Sequence, residues 1–381
     1  MFFLIISCSC SIPQLLRPEQ SVDEPSHSPE PRVIDTSSSD RTEQPTNTAT
    51  FSHGEVLGLP LPTLLRSTRL TVFTIVFPQS GSYFFGKTDT SRWSLILLDT
   101  LEEFTYFNIP RASVNGTITI AESSTGELVL TGGIEGRLDV FESGFLSTSI
   151  SSTYLFRGSE DSIMITQIAI HEPSGLVLVA SGWDSGGLVS WDMKSYDASM
   201  LVQKPVQRFA MLPGSDEVFM ATSPLGIPVE PTSPIIVYNL ATHELTELPI
   251  QGQWGTYVAV SPDGQTLAAI VDGQLNLWDL AASKAIEFEI PSFSGVYVKV
   301  EFSPKGRLVV LRAPNVPLEN WSDTFMSDLV DVETELIVYE IQTGTPLAGL
   351  GDLGLVVFGV SNTEELMATS YEGGLYLWAV P

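Results

Sequence analysis

From residue 257 to residue 280 the apolar positions fall into three short runs, Tyr257 to Ser261, Thr266 to Val271 and Gln274 to Leu280, which read as three consecutive strands. The first two are separated by Ser261-Pro262-Asp263-Gly264, with proline where a φ of about −65° is wanted and glycine where a positive φ is tolerated. A tight reversal is expected there. The last two are separated by Asp272-Gly273, a dipeptide favoured in two-residue hairpin loops. Together they predict an antiparallel meander. Its third strand ends Leu277-Trp278-Asp279, where the aromatic can fill the gap between neighbouring sheets while the aspartate returns to water.

Six other segments repeat this order of apolar strand, turn, apolar strand, gap, and strand ending in a bulky residue followed by a polar one. Ile168 to Asp192, Val356 to Trp378 and Ile120 to Glu142 are clear copies, the last with Glu135-Gly136 in its second turn and Phe141-Glu142 at its end. Val76 to Asp99, Phe209 to Asn239 and Val300 to Glu340 are weaker ones. With Gly81, Gly126, Gly175, Asp216, Gly264, Gly306 and Glu364 as matching turn positions, the spacings are 45, 49, 41, 48, 42 and 58 residues. Periods of about 40 to 50 residues mark four-stranded blades, and the alternating pattern excludes a solenoid of helices. One such sheet cannot bury both faces alone, so the copies must pack face to face in a ring. The prediction is an all-β, seven-bladed β-propeller of four-stranded antiparallel blades.

Trp191-Asp192 and Trp278-Asp279 carry a dipeptide, matched in part by Trp378-Ala379, through which residues 60 to 381 resemble the WD-repeat family of β-propellers, in a divergent, bacterial form. The family's Gly-His pair is absent from every copy, with Gln251 and Phe293 near two of its places. The buried His–Asp–Ser/Thr–Trp hydrogen-bond set of that family is therefore not expected in its usual form. The resemblance speaks for the fold rather than for a named function. The last copy stops after its third strand, and the resemblance implies that the apolar run Leu64 to Phe73 supplies the fourth. The chain's two ends would then close the ring and remove exposed sheet edges.

Charge narrows the partners. The chain has 18 basic and 45 acidic residues, a net charge of −27, and such a field repels phosphate backbones, so nucleic acid is not expected as a partner. Calcium, cationic ligands and basic protein surfaces stay open, beside the plain reading that acidity keeps a large domain soluble. Both cysteines, Cys8 and Cys10, lie ahead of the repeats, and no disulfide framework is expected.

Three regions follow: a signal-like segment over residues 1–10, a linker over 11–60 and the propeller over 61–381. Ile5-Ile6-Ser7 before Cys8 resembles a bacterial lipoprotein cleavage box, which implies a lipid on Cys8 and a location outside the bacterial membrane. The apolar run is short and lacks a positive flank, so an intact Met1 on a cytoplasmic chain is the alternative. Pro13 to Ser52 has no periodicity and is rich in Pro, Ser, Thr and acidic residues, the composition of a disordered tether.

The tryptophans sort into two groups. Trp191, Trp278 and Trp378 end third strands and read as packing residues, with Asp192 and Asp279 as blade residues after two of them. Trp93, Trp183 and Trp321 fall between second and third strands, and Trp254 falls just before a first strand. In the family resembled, both connection types reach the rim called the top. Two insertions share that position, Ser223 to Ser233 and Ala313 to Glu335. The longer holds Glu319, Asp323, Asp328, Asp331, Glu333 and Glu335 with no Lys or Arg, and Ser322 can cap a short helix placing Phe325 and Leu329 on one side. Such a face suits a peptide, a sugar or a basic protein surface. Packing of the tryptophans under their own loops is the competing reading.

Catalytic motifs are absent. The four histidines His27, His53, His171 and His243 have no zinc-ligand spacing, and neither GxSxG nor a phosphate-cradling loop occurs. Asp263, Glu172, Asp272 and Glu372 sit in turns and read as structural. The sequence is thus read as a monomeric, non-enzymatic binding scaffold with a protein or peptide partner and neither metal nor cofactor. The alternative is a propeller enzyme of lactonase, dehydrogenase or hydrolase type with a site in the central channel.

Overall fold

A computed structural model of the chain contains seven four-stranded antiparallel sheets arranged as the blades of a ring. It describes residues 58–381 except 73, 79–82, 90–91, 106–116, 134–135, 143–144, 157–162, 183–185, 213, 223–233, 288–294, 317–331, 354–356, 363–364 and 372–373. The expectations for the segment up to residue 57, Cys8 included, lie outside the described residues.

The chain enters with β1 (Thr63–Thr68) and then builds the blades in order, inner strand first. Blade 1 is β2 (Ile75–Val76), β3 (Tyr83–Asp89), β4 (Arg92–Leu97) and β5 (Glu103–Thr105). Blade 2 is β6 (Thr117–Glu122), β7 (Leu128–Gly133), β8 (Arg137–Glu142) and β9 (Phe145–Ser151), followed by the one-turn helix α1 (Ser152–Leu155). Blade 3 is β10 (Gln167–His171), β11 (Leu176–Ser181), β12 (Gly187–Asp192) and β13 (Ala198–Val202). Blade 4 is β14 (Val206–Met211), β15 (Glu217–Thr222), β16 (Ile235–Asn239) and β17 (Leu245–Glu247). Blade 5 is β18 (Gly255–Val260), β19 (Thr266–Val271), β20 (Gln274–Asp279) and β21 (Lys284–Ala285). Blade 6 is β22 (Val296–Phe302), β23 (Leu308–Ala313), β24 (Thr334–Glu340) and β25 (Thr345–Leu353). Blade 7 is β26 (Val357–Val360), β27 (Leu366–Tyr371) and β28 (Gly374–Ala379).

The fourth strand of blade 7 is β1, paired antiparallel with β28 from Thr63 opposite Ala379 to Thr68 opposite Leu375. This closes the ring as the sequence led us to expect. The seam is also fastened inside, where Ser370 Oγ accepts the Val72 N–H at 2.8 Å. Ahead of β1, Leu59 packs on the core between blades 5 and 6, and Pro60 O accepts the Gly349 N–H of β25 at 3.1 Å.

Local chemistry sets the turns. In blade 5 the Gly264 N–H closes on Ser261 O at 2.8 Å with φ +70°, and Asp272 and Gly273 carry φ values of +49° and +72°, the signature of the mirror-image hairpin turn. The turns from third to fourth strands share another device. Asp192, Asn239 and Asp279 each accept backbone N–H groups through Oδ1, and the residue four positions on lies at positive φ: Tyr196, His243 and Ser283.

One apolar cluster fills each gap between neighbouring blades. Trp191 is buried between blades 2 and 3, Trp278 between 4 and 5, and Trp378 between 6 and 7. Of the three, Trp378 donates its indole N–H to Thr369 Oγ1, at 2.8 Å, two register rows along β27. At the same place Trp191 meets Val179 and Trp278 meets Ala269. A Ser/Thr–Trp pair therefore forms in the last blade only among these three.

Candidate binding surfaces

The rim that carries the connections between second and third strands has a rigid point at Trp254. Its backbone N–H and that of Gln253 donate to the two carboxylate oxygens of Asp272, at 2.8 and 3.0 Å, and Trp254 O accepts the Asp272 N–H at 2.9 Å. The left-handed φ of Asp272 is what turns its carboxylate back onto this connection. The following blade joins in, since the Tyr297 N–H donates to Gly273 O at 2.8 Å. Trp254 itself is half-buried beside this clamp.

Trp93 is placed differently from the sequence reading. It is the second residue of β4, opposite Lys87, because the β3–β4 ladder continues to Asp89 opposite Arg92. Trp183, Trp321, Phe325, Glu319, Asp323, Asp328 and Asp331 lie outside the described residues. The two glutamates at the end of the long insertion do not act as free charges. Arg312 of β23 grips Glu335 through Nε, at 2.6 Å, and through Nη2, and Glu333 accepts from Asn315 Nδ2 at 2.7 Å. Burial beside this pair pushes the Tyr339 hydroxyl well above its ordinary pKa.

The two described histidines are held within turns. His171 closes β10 with its ring buried, Nδ1 against Ser174 Oγ at 2.7 Å and Nε2 against Ser215 O at 3.0 Å, so it ties blade 3 to blade 4. His243 Nδ1 meets the Tyr238 hydroxyl at 2.9 Å. Among the described residues no three His, Cys, Asp or Glu side chains converge as metal ligands.

A second surface is the channel wall. Inner strands have one edge without a strand partner, and on four of them Gln167 and Ala169, Arg208 and Ala210, Tyr257 and Ala259, and Lys299 and Glu301 are half-buried positions two residues apart on one face. Taking the register rows that end in Phe141, Trp191, Tyr238, Trp278 and Tyr339 as reference, Thr119, Gln167, Arg208, Tyr257 and Lys299 occupy one corresponding position in blades 2 to 6. Each reaches toward the next blade. Thr119 Oγ1 accepts the Ile168 N–H at 3.3 Å, and the Gln167 amide takes both the N–H and the C=O of Phe209, at 2.8 Å each. Arg208 lies over the Tyr257 ring, Cζ to centroid 5.6 Å, with Nη1 donating to Thr166 O at 2.6 Å and Gln207 O at 3.2 Å.

Lys299 completes the series. Its ammonium donates to Phe358 O at 2.5 Å, sits 4.4 Å from the Phe358 ring centroid and pairs with Glu301 Oε1 at 2.6 Å, while Glu301 Oε2 accepts the Val360 N–H at 2.7 Å. Burial works against that ammonium, yet Glu301 and then Tyr257 outweigh it and hold its pKa above the ordinary lysine value. Two residues further along the same strands the channel side chains shrink to Ala121, Ala169, Ala210 and Ala259 in blades 2 to 5, with Glu301 in blade 6.

No protein-family model matches the chain, and no curated protein is similar to it in sequence. Function is therefore read from geometry. The polar layer of the channel was missed in the sequence because its members stand a whole blade apart. A signal was present: Gln167, Tyr257 and Lys299 each precede the first-turn glycine of their copy by seven or eight residues.

Proposed function

We propose that this propeller is a non-enzymatic binding scaffold of the WD-repeat type that holds a protein or peptide partner on its top rim. The observation that carries the reading is the clamp at Trp254. An aromatic side chain on a backbone fixed by Asp272 loses little freedom on binding, which is how rigid anchors gain affinity. Trp93, Trp183 and Trp321, with Phe325 and the acidic positions Glu319, Asp323, Asp328 and Asp331, extend the same surface in this proposal. Their charge favours a partner with a basic surface.

The proposed setting is extracytoplasmic, with a lipid on Cys8 and residues 11–60 as the tether of a monomeric ring. Two measurements test it. Mass spectrometry of the native N-terminus should find a lipidated Cys8, and an intact Met1 would sink the anchoring. Cross-linking in the native membrane should capture a partner that is lost on Trp254→Ala while Tm stays unchanged. Retention of that partner by the variant would remove the rim from the proposal, and a collapse in Tm would show that Trp254 packs rather than binds.

A further inference from the structure

We infer that the central channel holds a binding site for a small organic carboxylate, with Arg208 as its anion-binding residue. The inference starts from a mismatch in charge. The chain has 45 acidic residues against 18 basic ones, so carboxylates are abundant everywhere on it, yet Arg208 has none as partner among the described residues. Arg137, Lys299, Arg307 and Arg312 all have one. Arg208 instead spends one nitrogen on two backbone carbonyls, which fix the guanidinium plane, and lies against the face of Tyr257. A guanidinium so oriented keeps donors for a planar, two-oxygen acceptor, the geometry that carboxylates supply.

The neighbourhood selects the charge and the size of the ligand. Lys299 holds the corresponding position one blade beyond Tyr257, but Glu301 neutralises it at 2.6 Å. The cluster therefore carries one net positive charge. A single carboxylate balances it, whereas a phosphate dianion would overshoot beside Glu301 and in the field of a strongly acidic protein. Next to the polar layer, the half-buried alanines Ala121, Ala169, Ala210 and Ala259, each packed against the apolar cluster beside its blade, give small apolar side chains on the side of blades 2 to 5. The carbon part of a small acid would lie there, and the Tyr257 hydroxyl would offer a further donor.

The decisive experiment is a calorimetric titration of the full-length chain with benzoate, acetate and inorganic phosphate at constant ionic strength. Benzoate is expected to bind saturably with a Kd of about 1 mM or tighter, acetate more weakly and phosphate not at all. Arg208→Lys keeps a charge and a donor for Thr166 O but loses the fork, and is expected to weaken benzoate about tenfold, with Arg208→Gln abolishing binding. Ala259→Leu leaves the charges unchanged but enlarges the apolar side chain next to the polar layer, and should weaken benzoate more than acetate. Lys204→Gln, at the exposed pair with Glu247, should change nothing. No saturable binding of either carboxylate, preference for phosphate, or equal binding by wild type, Arg208→Lys and Ala259→Leu would each overturn the inference.

Discussion

Trp378 and Thr369 are the pair that Trp191 of blade 3 and Trp278 of blade 5 lack: an indole N–H 2.8 Å from a threonine hydroxyl, both fully buried. In blade 3 the indole has lost its acceptor, because Val179 stands in the place of Thr369, and the buried Trp191 Nε1 has no hydrogen bond among the described residues. Blade 2 shows the reverse. Thr131 occupies the threonine place but faces Phe141, and its buried hydroxyl has no partner there. A buried polar group without a partner costs about 1–3 kcal/mol. Thr369→Val should therefore destabilise the protein by about that amount, and Val179→Thr should stabilise it by about 1 kcal/mol. Chemical denaturation of the two variants checks both signs, and equal midpoints for all three proteins would contradict them.

Ring closure rests on a strand far in sequence from its partners. Without β1, the edge of β28 would be left bare and the apolar contacts of blade 7 would lose their cover. A chain starting at residue 70 should unfold at lower temperature and with less cooperativity by calorimetry. A synthetic peptide of residues 58–69 added in excess should restore much of the loss.

At Ser283 the backbone sits at φ +51°, a conformation that costs a residue with a side chain about 1 kcal/mol and that blade 6 meets with Gly344 at +70°. Ser283→Gly should raise the urea midpoint, and Gly344→Ser should lower it by a similar amount. Opposite signs in the two variants are the required outcome.

Glu122 supplies a pH effect with a definite direction. Burial is the main influence on its carboxyl and raises its pKa above the ordinary 4.5, although both oxygens accept from the Tyr83 hydroxyl, at 2.6 and 2.7 Å. The folded state therefore holds this proton more tightly than the unfolded chain, and this group's contribution to stability is full below 4.5 and is lost as pH rises through the folded value. Glu122→Gln should flatten that part of the stability profile and leave the protein more stable than wild type at pH 7. An unchanged slope would rule this out.

Which features were legible follows from how far each interaction reaches. Ser261-Pro262-Asp263-Gly264 and Asp272-Gly273 announce their turns because the φ values they favour belong to the residues themselves. The strand boundaries in blade 5 accordingly fall within two residues of those read from the apolar runs. Trp93 went astray because a ladder, not a residue preference, decides where a hairpin ends. Glu335 looked like one charge among many in an acidic insertion. Its partner, Arg312, stands on the preceding strand, where only the register of β23 against β24 brings the two together.

By itself, then, the sequence determined seven copies of a four-stranded unit, their turns and the tryptophans that separate them, since alternation and turn chemistry act over a few residues. The tertiary structure alone decided that β1 pairs with β28, that Asp272 clamps the backbone of Trp254, and that Thr119, Gln167, Arg208, Tyr257 and Lys299 form one layer of the channel. Those residues lie 40 or more positions apart or on different strands, and ring geometry is the physical cause that makes them neighbours.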